Sequence, residues 1–250
     1  FDGTIMCYDE PPGTFHPAAI EVLNQCAAMG AAWCTNSGRN HVDQQEIIAR
    51  AVAKGLMHLP SALICSESLI FPRANGGYEP MGAWNNLIHQ RMKSIQQTVQ
   101  ERLLPCMPVL IEEFQPEQHF SEHYTAFHIP TSSEQAAAFY KELCTALAPL
   151  DGMSITRNDC WINILPRETG KGNTLLAYAR TIGVRPDEIL AVGDHLNDLT
   201  MLDGSSAGHV GCPGNAVPEI IQTVRSAGGR VAAQDGPLGS VEIIRHCLGI

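Results

Sequence analysis

The run Glu188-Ile189-Leu190-Ala191-Val192 is apolar after its first residue, without alternation, and is followed at once by Gly193-Asp194-His195-Leu196-Asn197-Asp198. A continuous apolar run reads as a parallel strand covered on both faces, and ligands of such sheets gather beyond the carboxyl ends of the strands. Asp194, Asn197 and Asp198 therefore stand where chemistry sits in an open α/β sheet. Clustered hard oxygen donors suit Mg²⁺, which keeps several waters and binds through one or two carboxylates together with substrate phosphate. Taken alone, the same string also reads as a solvated loop with a capping aspartate.

Three other segments bear on that choice. Asp2-Gly3-Thr4 sets an acidic residue before a Gly-Thr turn, and glycine permits a tight backbone path around a small ion. Residues 31–36 form a small-residue strand that runs into Ser37-Gly38-Arg39, where a hydroxyl and a glycine amide suit a phosphate oxygen; Ser37 is the first choice of donor and Thr35 the second. Gly170-Lys171-Gly172 precedes an apolar-periodic helix over 173–180, which places an ammonium near a helix start. It is not a P-loop, because the earlier glycine is absent and Lys171 is followed by Gly.

In this order the segments resemble the haloacid dehalogenase superfamily of phosphotransferases, whose motifs run Asp-x-Asp-Gly-Thr, Ser or Thr, Lys, then Gly-Asp-x-x-Asn-Asp. The match is Asp2-Gly3-Thr4, Ser37, Lys171, and Asp194 with Asp198, and it covers the beginning and the last third of the chain. The resemblance implies Mg²⁺-dependent hydrolysis of a small phosphomonoester, with a sugar phosphate as the leading substrate, through an aspartyl-phosphate. It implies catalytic roles for Asp2, Ser37 and Lys171, with Asp2 as general acid and base, and substrate contacts from Gly38, Arg39 and Asn215. The implied metal site takes the Asp2 carbonyl and Asp194 as direct ligands, with Asn197 and Asp198 orienting ligands and waters and Asp198 pairing with Lys171. The family's nucleophilic aspartate would stand immediately before Phe1, at the end of a strand forming the middle of the sheet. A protein truly beginning at Phe1 is expected to be inactive and poorly folded. Two alternatives remain, a phosphomutase of the same superfamily and a catalytically inactive phosphate-binding protein.

A length of 250 residues allows a sizeable core plus an insertion. The net charge of −10 argues against nucleic acid or an anionic membrane surface as partner, leaving a small phosphorylated metabolite. Nine scattered cysteines without a Cys-x-x-Cys read as reduced thiols of a cytoplasmic protein.

Motif spacing sets the expected architecture, a Rossmann-like doubly wound parallel α/β core with an inserted α/β domain. Only a turn and a helix over 16–30 fit before Ser37, whereas about 130 residues separate Arg39 from Lys171, far beyond an ordinary connection. The core is expected over 1–41 and 167–250, and the insertion over 42–166. In the superfamily an insertion here is the type II cap, as in sucrose-phosphate and mannosyl-3-phosphoglycerate phosphatases. Within it, 61–71 reads as strand, turn, strand, 83–104 as a helix, 108–114 and 124–129 as strands, 133–147 as a helix and 160–165 as a strand. Glu67, Arg73 and Trp161 are candidates for sugar recognition on the cap. His119, His123 and His128 suggest zinc if helical, but the aromatic and β-branched residues among them favour extended structure, where positions four apart sit too far apart to share an ion easily.

Overall fold

The computed structural model describes residues 1–7, 13–121, 123–148 and 150–250. It divides into two compact units, Phe1–Met81 with Lys171–Ile250, and Gly82–Gly170. The insertion is therefore shorter than the expected 42–166. Residues 42–81 group with the first unit because the strand Ala62–Cys65 pairs in parallel with Cys34–Asn36, setting Cys34 opposite Ala62, and so extends that unit's own sheet.

The first unit is α/β with parallel pairing. Its helix Pro17–Ala28 starts with a proline in its first turn, and the His16 ring accepts from the Ala18 amide at 3.1 Å, satisfying one of the free donors of the first turn. Ala19, Val22, Leu23 and Cys26 recur at helical spacing and are buried, with Ala19, Val22 and Cys26 packed against Val241 of the helix Gly236–Leu248. The strand Leu190–Val192 follows a single short turn over Pro186–Glu188. It heads a parallel sheet completed by His209–Cys212 and Arg230–Val231. Cys34–Asn36 heads a second sheet that continues through Ala62–Cys65, Leu69–Ala74 and Gly77–Tyr78.

The second unit packs helices Gly82–Thr98 and Ser133–Leu147 on an antiparallel sheet. Its strand order is Glu117–Phe120, Thr125–His128, Trp161–Pro166, Met153–Asn158. Phe127, Ile162 and Ile164 meet Ile95, Phe139 and Leu143 in its core. One expected strand is a helix: Pro108–Phe114 begins with proline and ends at Gln115 in the left-handed region, and Leu110, Ile111 and Phe114 lie against the core at helical spacing. Among the described residues no helix is long and apolar enough to cross a membrane.

Candidate active site

The turn at Asp2-Gly3-Thr4 lies against the loop that follows Leu190–Val192. Gly3 has φ +70°, and a Cβ there would stand 2.3 Å from Asp194 Oδ2, so only glycine lets the turn approach that carboxylate. The Thr4 hydroxyl lies 3.1 Å from the Asp2 carbonyl oxygen and 3.3 Å from Asp194 Oδ1, so both oxygens expected to hold a metal lie within hydrogen-bond reach of one hydroxyl. Gly193 is equally constrained, since a Cβ there would meet Asp198 Cγ at 2.5 Å.

Asp198 is buried and fully engaged. Its Oδ1 accepts from Lys171 Nζ at 2.6 Å, and its Oδ2 accepts from the amides of Asp194 and His195 at 3.0 and 3.1 Å. Asp198 thereby ties the loop to the lysine. Burial opposes ionisation of both partners, yet the Lys171 charge and hydrogen bond hold the Asp198 carboxyl below its ordinary range, and the charges of Asp198 and Glu67 hold Lys171 above its own. Asp194 shifts the other way: burial, with the charge of Asp198 nearby, holds its carboxyl above the usual range. A desolvated carboxylate beside a like charge, next to a main-chain carbonyl, is a donor set that fits a small hard cation.

Asp2 turns its side chain away from this point and meets Arg39, whose Nε and Nη2 reach its carboxylate at 2.9 and 2.7 Å. Burial of Asp2 is outweighed by this fork, and its carboxyl stays below the ordinary value. Ser37 is buried, and its hydroxyl accepts from the Arg39 amide at 3.2 Å. Thr35 is spent elsewhere, donating to buried Gln44. Gly38 leaves space toward Glu67, whose Oε1 would lie 3.6 Å from a Cβ there. Asn215 does not reach the carboxylates through any described contact; its Oδ1 accepts from the Gly236 amide at 2.8 Å and so caps the last helix.

One residue of this site was misplaced by sequence reasoning. Glu67, expected on the inserted domain, belongs to the first unit and is buried. It sits in the three-residue turn Ser66–Ser68 between Ala62–Cys65 and Leu69–Ala74, closed by the Ser68 amide on the Cys65 carbonyl at 3.0 Å, with Ser66 and Glu67 at φ 49° and 57°. Such a turn normally takes Asn or Gly at these positions. The strain is held by Glu67 itself: its Oε1 accepts from Asn197 Nδ2 at 2.8 Å, and its carbonyl accepts from Thr174 at 2.8 Å. An acidic residue between two apolar runs was the only local signal.

Residues 16–234 match the family model described as sucrose-6F-phosphate phosphohydrolase. The chain belongs to this family. The match extends across both units and places the chain in the haloacid dehalogenase superfamily.

Solved phosphatase structures share the fold. The sucrose-phosphatase of Synechocystis sp., in complex with sucrose and phosphate, superposes with a TM-score of 0.67 at 16% identity, over 94% of this chain and 91% of that one. A haloalkanoate-superfamily phosphatase from Bacteroides thetaiotaomicron gives 0.66 at 18% identity, over 100% and 93%. In sequence, the phosphoglycolate phosphatase of Aeropyrum pernix is 31% identical over 115 residues, 46% of each protein. The chain spans less than half the length of the curated relatives it matches.

Proposed function

We propose that this member of the sucrose-6F-phosphate phosphohydrolase family is a Mg²⁺-dependent phosphatase of a small phosphomonoester, with a sugar phosphate as substrate. The observation that carries the proposal is the convergence of the Asp2 carbonyl and Asp194 Oδ1 on Thr4, beside the buried Lys171–Asp198 pair. The family resemblance supplies the rest of the reading, an aspartyl-phosphate route.

In this reading Asp194 and the Asp2 carbonyl hold Mg²⁺, which when bound acts as a Lewis acid on the phosphoryl oxygens. Lys171, kept charged by Asp198 and Glu67, offsets the negative charge on those oxygens, and Ser37 with the Gly38 amide positions them. Such a transition state leaves little covalent work for the protein, so positioning and charge neutralisation supply most of the rate. The Asp2 carboxyl gives a proton to the departing alcohol and later takes one from the attacking water, a role typically contributing a factor of about 10² to 10⁴. Arg39 holds the Asp2 carboxyl below its ordinary range, so the acid half of the cycle requires the Arg39–Asp2 fork to open. In the same reading the inserted unit serves as a cap, which restricts the site to small soluble substrates.

The test is a panel of hexose and disaccharide phosphates incubated with the full-length protein and Mg²⁺, with released phosphate and isomerised sugar phosphate measured together. Release from one class of sugar phosphate supports the proposal. Isomer formation without release replaces the phosphatase by a mutase, and rapid hydrolysis of a folded phosphoprotein contradicts the capped site.

A further inference from the structure

The sheet of the second unit buries Phe127, Ile162 and Ile164 against its helices. Side chains alternate along a strand, so Glu117, His119, His128 and Trp161 stand on the opposite face. Glu117 is the register partner of His128, and Trp161 pairs with His128 from the other side. Glu117 Oε2 lies 2.8 Å from His128 Nδ1 and 3.5 Å from His119 Nε2, and the three donor atoms fall within 4.8 Å of one another. His119 Nε2 is shielded from solvent and lacks a hydrogen-bond partner among the described residues. Both imidazoles rest on Trp161, His128 stacked at 4.5 Å between ring centres and His119 tilted at 4.8 Å.

We propose that Glu117, His119 and His128 form a site for a divalent transition-metal ion of the Zn²⁺ class. Two imidazole nitrogens with one carboxylate oxygen form a donor set that suits Zn²⁺, Co²⁺ or Ni²⁺, whereas Mg²⁺ and Ca²⁺ require mostly oxygen. Bonds of about 2.0–2.1 Å at tetrahedral angles set donor atoms about 3.3–3.4 Å apart. The two distances from Glu117 Oε2, 2.8 and 3.5 Å, lie near that spacing, and all three donor atoms are within 4.8 Å of one another. A carboxylate–imidazole hydrogen bond accounts for the Glu117–His128 contact but leaves His119 Nε2 with only the longer 3.5 Å approach to the same oxygen; an ion at the centre satisfies all three atoms. The indole beneath the two rings fixes their planes, and the ion's fourth position stays open to water or a small ligand. The cluster arises from cross-strand pairing, and none of its residues belongs to the carboxylate site of the first unit.

The test titrates Zn²⁺ into the full-length protein against a chromophoric chelator, with Mg²⁺ in excess to occupy the oxygen-rich site. One Zn²⁺ per chain is expected, with affinity reduced at least about tenfold in His119→Ala and in Glu117→Gln. Co²⁺ is expected to quench the fluorescence of Trp161, and Trp161→Phe is expected to lose that quenching while still binding Zn²⁺. Wild-type protein that takes up no more Zn²⁺ than the His119→Ala/His128→Ala variant overturns the proposal, as does Co²⁺ quenching that survives in Trp161→Phe. Circular dichroism of each variant confirms that the sheet persists.

Discussion

Lys171 Nζ donates to Asp198 Oδ1 at 2.6 Å, and the two side chains are only 6% and 5% exposed. Attraction in a site so poorly solvated is strong, but so is the penalty for leaving either charge alone. Lys171→Met is therefore expected to destabilise the protein by about 3–5 kcal/mol, because Asp198 stays buried without its partner. Lys171→Met/Asp198→Asn, which removes both charges, is expected to regain most of that stability and no activity. Urea unfolding of the single and double variants measures the difference, and equal stabilities contradict the coupling.

Asp194 presents the opposite case, a carboxylate that is destabilising until a cation joins it. With burial and Asp198 holding its carboxyl above the ordinary range, its ionised form weakens the metal-free fold at neutral pH. Asp194→Asn is expected to melt at or above the temperature of chelator-treated wild type and to lose the rise in melting temperature that Mg²⁺ gives the wild type. A variant that Mg²⁺ still stabilises would place the ion elsewhere.

Glu67 holds a strained turn and the Asn197 amide at once. Glu67→Gln keeps an acceptor for Asn197 and removes a charge that supports Lys171, so we expect kcat/KM to fall by about 10- to 100-fold with little change in unfolding midpoint, as for partners that orient metal-site ligands. If the variant loses stability in proportion to its activity, Glu67 is a structural residue only.

The depressed carboxyls predict an acid limit to stability. Asp2 and Asp198 have folded values below their unfolded ones, so they add stability above the unfolded value of 3.8 and lose it as pH falls through the folded value. Lys171 is raised above 10.5, so its contribution is complete below that pH and fades only in strong base. The metal-free protein is expected to lose stability below about pH 4, and Arg39→Ala is expected to begin with less and lose less. Denaturation midpoints from pH 2 to pH 7 measure both slopes; identical slopes sever Asp2 from Arg39.

The residues legible in the sequence were those carried by local strings. Asp194 and Asp198 follow an apolar strand, Lys171 opens a helix and Gly3 sits in a turn, and each of these features depends on a few neighbours. What the sequence hid depends on pairing between distant segments. Glu67 reaches Asn197 only because a hairpin turn is carried to the end of the Ala62–Cys65 strand, and that strand joins the first unit only through its parallel register with Cys34–Asn36. The same dependence moved the unit boundary from 42 to 82. His119 and His128 were weighed as neighbours in sequence, whereas the strand register sets His128 opposite Glu117, two residues from His119. Pro108–Phe114 was misread for a different reason, since a short apolar run carries both periods and only its packing on the core decides between them.

The measurement that tests the account most directly is phosphate release from a sugar phosphate by the full-length protein, run with Mg²⁺, with chelator, and with Asp194→Asn. The account predicts turnover with Mg²⁺ alone, and background in the other two with the fold intact. Equal turnover in the presence of chelator, or in Asp194→Asn, would contradict it.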